Sequence, residues 1–481
     1  MEHPNFSASS VQTQDASPAG ARAGQDPTCA LLSGTTILTP GTRHLLTACL
    51  AGLLLLALSI ACWIPFGYES STILYQFGLD RTLLRAGKMA GLSAAVLLLL
   101  QILSASRLHW LDRILGLNSL YTVHRIFAVL ALLLAAAHPL LVLGPNGIFS
   151  LKLSMEFWPE WLGVMLLLAL AATVGLALWR EKLKMPFHLW WIGHRIVTPV
   201  LIALLGIHTF NVSDTFASGP PRILLILALS LFGLAWIRLK IRPLLARRKT
   251  SVISSVEPVS RDAFRIELSP AKGDTPSFLP GQFGFVTLKS SALSSEEHPF
   301  TIASSPLDRG RLEMVIKKCG DWTNNGDKLQ RGDQAWIDGP FGLFSFCTHP
   351  EAESLVFIAG GVGVTPFLSM LRTMVHARDT RPATLLWSNK TRSDVFMADE
   401  LELMTQSLEN FRYETILTRE TAQEGRPRRL DRRGLEHLLP NWGPSTHFFV
   451  CGPQTMMHDI RSHLLDLGVR KRRLHMERFK L

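Results

Sequence analysis

Cysteine is scarce in this chain, with six in 481 residues: Cys29, Cys49, Cys62, Cys319, Cys347 and Cys451. They are scattered and form no C-x-x-C pair. That spacing excludes a cysteine-built zinc site or iron–sulfur cluster and predicts no disulfide framework. Acidic residues are the second shortage: 38 Asp and Glu stand against 49 Lys and Arg, a formal charge of +11. No basic–aromatic interleaving accompanies the excess, so nucleic acid is not an expected partner. The chain also opens without the basic-then-apolar order of a secretory leader. Residues 1–40 are rich in Ser, Ala, Gly, Pro, Gln and Thr, and a disordered cytoplasmic tail is expected there.

Apolar sequence is abundant, and it is unevenly distributed. Mean hydropathy is +0.21, and residues 45–240 hold nearly all the long uncharged runs. Six runs, about 45–64, 88–106, 122–143, 160–179, 190–210 and 222–239, are long enough to cross a bilayer. Arg107 and Arg113 follow the second run, Arg180, Lys182 and Lys184 the fourth, and Arg238, Lys240, Arg242, Arg247, Arg248 and Lys249 the sixth. The positive-inside rule puts these on the cytoplasmic side together with both termini, in a plasma or inner membrane. Much of the +11 is therefore topological, although Arg81 and Arg85 fall on the outer side.

Two of the runs carry near-copies of one pattern. His124-Arg125-Ile126 is followed by His138, and His194-Arg195-Ile196 by His208, each pair fourteen positions apart. Fourteen residues are close to four helical turns, so each pair shares one helix face, with about 21 Å between its members. The third and fifth spans run in the same direction, which pairs His124 with His194 and His138 with His208. Four imidazoles at two depths make a pair of bis-histidine haem b sites. Neither helix has an Asp or Glu between its histidines, which counts against a non-enzymatic metal or proton pathway. Arg125 and Arg195 beside the inner ligands are candidates for haem propionate contacts, or are interface anchors.

From residue 251 onward charged and apolar residues alternate as in a soluble protein. Short strands broken by Gly and Pro over 251–345 predict an antiparallel barrel. It holds, in order, Pro280-Gly281-Gln282-Phe283, His298-Pro299-Phe300-Thr301, Gly320-Asp321-Trp322-Thr323 and Asp338-Gly339-Pro340-Phe341-Gly342. Then the apolar strand Leu355–Ala359 runs into Gly360-Gly361-Val362-Gly363-Val364-Thr365-Pro366 and a helix. Strand, Gly-rich turn and helix N-terminus form a pyrophosphate cradle. Further apolar strands near 382–388, 413–418 and 447–450, the last ending in Cys451-Gly452-Pro453, predict a small doubly wound parallel sheet.

These motifs, in this order, resemble those of the ferredoxin–NADP reductase superfamily over residues 251–481. Residues 45–481 as a whole resemble the ferric reductase and NADPH oxidase family of transmembrane flavocytochromes b. The implied architecture is an all-α six-helix transmembrane bundle (41–245), an antiparallel β-barrel FAD domain (246–346) and an α/β doubly wound NAD(P)-binding domain (347–481). The resemblance further implies that His298, Pro299, Phe300 and Thr301 form the flavin motif, with Phe300 and Thr301 nearest the isoalloxazine. Ser304 and the Gly320–Thr323 turn, with Trp322, would hold the FAD ribityl and pyrophosphate. Gly361, Gly363, Thr365 and Pro366 match the nicotinamide-nucleotide motif. Cys451, Gly452 and Pro453 would lie where hydride leaves, and Phe479 would cover the flavin. Thr418 and Arg419 resemble a pair that grips the 2′-phosphate of NADPH, with Arg426, Arg428 and Arg429 adding charge or forming a solvated loop. The implied activity is electron transfer from cytosolic NADPH through FAD and two haems to an outer acceptor. O2 giving superoxide leads, with a ferric or cupric chelate or a dedicated protein partner as alternatives.

Overall fold

The computed structural model describes residues 29, 37–69, 77–143, 152–246, 250–271, 273, 275–291, 293–420, 429–440 and 442–478. The membrane half is helical: α1 (Pro40–Gly67), α2 (Gly78–Ala105), the short α3 (His109–Leu115), α4 (Leu117–Leu143), α5 (Trp158–Trp179), α6 (Phe187–Asn211) and α7 (Gly219–Ala246). Among the described residues six helices are long and apolar enough to cross a membrane. Most of them outrun the apolar runs read from the sequence. At α1, Thr39 Oγ1 accepts from Thr42 N at 3.2 Å and Pro40 supplies the first turn.

Leu53, Leu133, Leu168 and Leu231 are more than half exposed, the outward apolar surface that a bilayer covers. Inside, α2 packs closely on α4. Buried small residues of α2 (Gly87, Ala90, Ser93 and Ala94) permit that approach. Arg81 and Arg85, the exceptions to the charge bias, both pair with Glu69.

The flavin-motif domain is a six-stranded antiparallel sheet in the order β4-β3-β6-β1-β2-β5. Its strands are β1 (Thr250–Ser260), β2 (Ala263–Pro270), β3 (Phe283–Lys289), β4 (Glu297–Thr301), β5 (Leu312–Lys317) and β6 (Gln334–Phe341). The expected antiparallel FAD domain is present as an open sheet: β4 and β5 are its two edges, with no ladder between them among the described residues. One backbone bond past the end of β4 joins them, Ala303 N donating to Glu313 O at 2.7 Å.

The second sheet is parallel, in the order β11-β10-β7-β8-β9. It comprises β7 (Ser354–Gly360), β8 (Ala383–Asn389), β9 (Phe411–Leu417), β10 (Thr446–Cys451) and β11 (Leu474–Glu477), the last unanticipated from the sequence. The chain builds outward from β7 through β8 to β9, then returns to lay β10 on the other side of β7. That reversal is a topological switch point, where open α/β sheets bind ligands beyond their carboxyl ends.

Cys29 is buried and bonded to Cys347. The scattered cysteines thus do form one disulfide, against expectation, and it ties a residue of the presumed tail to the segment between the two sheets. The other residues before 37 lie outside the described residues.

Candidate functional site

In the bundle, α4 and α6 approach each other through their histidines. The ring centroids of His124 and His194 are 6.2 Å apart, and those of His138 and His208 6.5 Å. Two metal–imidazole bonds of about 2.0–2.1 Å, plus about 1.1 Å from each nitrogen to its ring centre, sum to about 6.3 Å. Both pairs therefore fit a metal atom between the rings.

The far nitrogens support that placement. His138 Nδ1 lies 2.8 Å from the Gly87 carbonyl and His208 Nδ1 2.8 Å from the Pro159 carbonyl. A carbonyl can only accept, so Nδ1 carries the proton and Nε2 keeps its lone pair. His124 Nδ1 lies 3.1 Å from Ser104 Oγ. His194 Nδ1 is buried without a partner among the described residues. Glycines make room for the second pair: a Cβ on Gly91 would stand 2.8 Å from His138 Nδ1, and one on Gly163 2.6 Å from His208 Cε1. Gln101, one turn before Ser104, is buried with both amide atoms unpaired among the described residues.

The flavin motif folds against the Gly320–Thr323 turn. His298 and Phe300 on β4 lie 4.5 and 6.1 Å from Trp322, centroid to centroid. Trp322 is held by its Nε1–H, donated to Ser294 O at 2.9 Å. Gly320 sits at φ +98, which opens the turn, and Thr323 Oγ1 closes it by accepting from Cys319 N at 2.7 Å. Burial draws the His298 imidazole below its ordinary pKa, with Glu296 opposing. Thr301 is buried, and Pro299 pairs across to Phe285 on β3. Ser304 has committed its polar atoms: its hydroxyl accepts from Glu313 N at 3.2 Å and its carbonyl from Ser369 Oγ at 2.8 Å.

At the switch point the glycines divide their work. A Cβ on Gly363 would lie 2.4 Å from the Cys451 carbonyl oxygen, so the turn after β7 presses directly on the end of β10. A Cβ on Gly360 would meet Pro453 Cδ at 2.7 Å, and one on Gly452 the Met456 methyl at 2.7 Å. Gly361 differs: its φ is +55 and nothing lies within 4 Å of its Cβ position, so it opens onto free space. Helix α8 (Thr365–Ala377) starts there with Pro366 in its first turn, leaving N–H groups for an anion. Cys451 is fully buried, and burial followed by the Glu477 charge pushes its thiol well up, so it is a neutral thiol. Thr418 and Arg419 follow β9, where their N–H groups donate to the Asn389 and Lys390 carbonyls at 2.9 Å. Arg419 is exposed, as is Arg429. Arg426, Arg428 and Phe479 lie outside the described residues.

Two arginines that no motif revealed join these parts. Arg372 on α8 donates to the Ala303 carbonyl and to Glu313, both at 2.8 Å, and to Glu400 at 2.6 Å. It therefore ties the cradle helix to the end of the flavin strand. Arg107, between α2 and α3, pairs with Glu297 at 2.8 Å and lies 3.4 Å over the Phe285 ring. Arg195 is within electrostatic reach of Glu297 and stacks over Trp191 at 4.1 Å, while Arg125 is exposed. The His124–His194 pair is thus the one nearer the flavin motif.

Docking is completed by an apolar cluster of Leu108, Leu111, Leu117, Leu120, Phe283, Phe285 and Phe341. Asn118 Nδ2 donates to buried Glu477 at 2.7 Å. Gly342 N donates to Asp112 Oδ2 at 3.0 Å, and burial raises that carboxyl to about 6 against the opposing pull of the Gly342 bond. A carboxyl raised on folding stabilises the docked state fully below its unfolded value near 4 and loses that contribution as pH climbs through its folded value. The Asp112 share of the protein's stability is therefore expected to fall between about pH 4 and about pH 7, by on the order of 2–3 kcal/mol at about 1.4 kcal/mol per unit, read as the difference between wild type and variant. Asp112→Asn should flatten that slope, and an unchanged slope in a pH-resolved melting series would refute the assignment.

Comparison with known proteins agrees with this division. Residues 90–205 match the ferric reductase like transmembrane component family, 248–345 an FAD-binding domain family and 357–462 the oxidoreductase NAD-binding domain family. Ferredoxin–NADP reductase B of Sorangium cellulosum is 30% identical over 239 residues, covering 47% of this chain and 95% of that protein. The glycine betaine monooxygenase reductase subunit of Pseudomonas aeruginosa is 31% identical over 42% of this chain and 56% of its own length. The propane 2-monooxygenase reductase component of Mycolicibacterium smegmatis is 27% identical over 43% of this chain and 60% of its own. The chain thus spans little more than half of these two relatives. Among solved structures, the cytochrome b5 reductase domain of Ulva prolifera nitrate reductase covers 47% of this chain and 96% of its own, with 20% identity and a TM-score of 0.43.

Proposed function

For a chain that belongs to the ferric reductase and NADPH oxidase architecture with a C-terminal ferredoxin–NADP reductase-like module, we propose transmembrane electron transfer from NADPH through FAD and two b-type haems to molecular oxygen, giving superoxide. The observation that carries the haem reading is the two facing imidazole pairs, 6.2 and 6.5 Å apart on parallel helices. When bound, FAD would supply the conversion of a two-electron hydride into single electrons, and the haems one-electron transfer.

The protein's part is placement. His124, His194, His138 and His208 would hold the two haems through ring nitrogens, with Ser104, Gly87 and Pro159 orienting His124, His138 and His208. Arg125 and Arg195 are proposed propionate contacts, with Arg195 also answering to Glu297. His298, Pro299, Phe300, Thr301 and Trp322 form the flavin wall, and the Gly320–Thr323 turn the pyrophosphate grip. Ser304 acts by fixing β4 to β5 and α8. Gly361, Gly363, Thr365 and Pro366 cradle the NADPH pyrophosphate. Gly452 and Pro453 shape the nicotinamide slot beside the neutral Cys451, and Phe479 is the proposed flavin cover. Both termini and the nucleotide module are proposed to be cytoplasmic, in a plasma or inner membrane.

Thr418 and Arg419 are proposed to read the 2′-phosphate. Arg419→Ala should raise the NADPH KM by about 10-fold or more, the worth of one charge-assisted hydrogen bond, and leave NADH unchanged. Steady-state flavin reduction with both nucleotides decides it, and an equal effect on the two would refute the role. The acceptor is tested by reoxidising the anaerobically reduced protein with an oxygen pulse or a ferric chelate. Fast haem reoxidation by oxygen with superoxide formed supports the oxidase. Reoxidation by the chelate alone replaces it with a ferric reductase.

A further inference from the structure

Three histidines with no part in the electron path converge at the opposite end of the nucleotide sheet from the cradle. His349 follows the short turn Phe346–Thr348, His447 is the second residue of β10, and His475 lies in the edge strand β11. Ring centroids are 3.7 Å apart for His349 and His475, 5.1 Å for His447 and His475, and 5.3 Å for His349 and His447. His447 Nδ1 is 3.0 Å from His475 Nε2. Each residue offers one ring nitrogen within 4.8 Å of the other two. Three strand residues separate His447 from Cys451, and the four steps between them span roughly 13 Å of extended chain.

The 5.1 and 5.3 Å separations are those of rings that share one tetrahedral ion, for which about 5.1 Å is expected, whereas His349 and His475, stacked at 3.7 Å, must part by about 1.4 Å to admit it. Ligand nitrogens at about 2.0–2.1 Å from a tetrahedral metal lie about 3.3 Å from one another, so the 3.0 Å pair already stands near ligand spacing. A carboxylate completes the arrangement: Glu351 Oε1 is 3.5 Å from His349 Nδ1 and 3.8 Å from His447 Nε2. His447 thus turns one nitrogen toward the cluster and the other toward an acid, the relation that orients and polarises metal-bound imidazoles.

We propose that His349, His447 and His475, backed by Glu351, bind a borderline divalent cation of the zinc class. Imidazole nitrogen with one nearby carboxylate suits zinc better than calcium or magnesium, which take oxygen donors. The ion would act structurally. It would fasten the segment joining the two sheets to the interior strand β10 and to β11, a four-residue edge strand that ends in Glu477 at the membrane-domain contact.

The test uses the full chain with its FAD and haem, dialysed against chelator, loaded with zinc chloride and passed over a desalting column. Mass-spectrometric metal analysis should find about one zinc per chain, with a rise in melting temperature on loading. His349→Gln and His475→Gln should each weaken zinc binding more than about 100-fold, beyond the cost of losing an outer partner, while keeping wild-type FAD content. If His475→Gln does not fold, His349→Gln, in the connecting segment, decides alone. Zinc absent from the wild type, or retained equally by the variants, would overturn the site.

Discussion

His138→Ala and His208→Ala are each expected to lower haem content from about two per chain to about one, while NADPH continues to reduce the flavin at the wild-type rate. Each change removes one of two facing ring nitrogens, and the glycines against those rings, Gly91 and Gly163, offer no replacement ligand. The His124–His194 pair lies about 21 Å away along the helices, four turns nearer the flavin motif, and should stay intact. Transfer to the acceptor should fall by orders of magnitude, because the path is cut at its far end. Full haem content in either variant would refute the pairing.

Gly363→Ala should nearly abolish reduction of the flavin by NADPH, lowering kcat/KM about 100-fold or more. The added methyl would stand 2.4 Å from the Cys451 carbonyl and 2.9 Å from the Gly452 Cα. Backbone there cannot yield as a flexible side chain does, so the cradle and the nicotinamide slot must separate. Gly361→Ala is the informative contrast. Its methyl meets nothing, and the penalty is the left-handed φ of +55, about 1–2 kcal/mol. Dithionite should reduce the haems normally in both variants. Rapid-mixing measurements of flavin bleaching that find Gly363→Ala no worse than Gly361→Ala would contradict this division of labour.

The sequence made the periodic and local features legible. Fourteen-residue spacing in an apolar run maps onto one helix face whatever the tertiary context, so the facing of the two histidine pairs could be foreseen. The strand–glycine–helix cradle is equally local. Features set by distant partners could not be read. Whether the antiparallel sheet closes turns on whether β4 meets β5 along a ladder, and a single bond from Ala303 to Glu313 does not announce itself in either strand. Strand β11 has four residues, too few to show a period. Arg107 and Arg372 look like ordinary surface charges until the fold brings Glu297 and Glu313 to them. Cys29 and Cys347 are separated by 318 positions. The three histidines beside Glu351 share no motif, because their spacing arises from β10 and β11 lying side by side.

The central claim, that electrons from NADPH reach two haems held by these histidines, is tested most directly by one anaerobic spectrum. The purified, FAD-supplemented protein is mixed with NADPH in the absence of oxygen. Flavin bleaching should be followed by the reduced bands of b-type haem, amounting to about two haems per chain. Flavin that bleaches with no haem signal, or haem that only dithionite reduces, would contradict it.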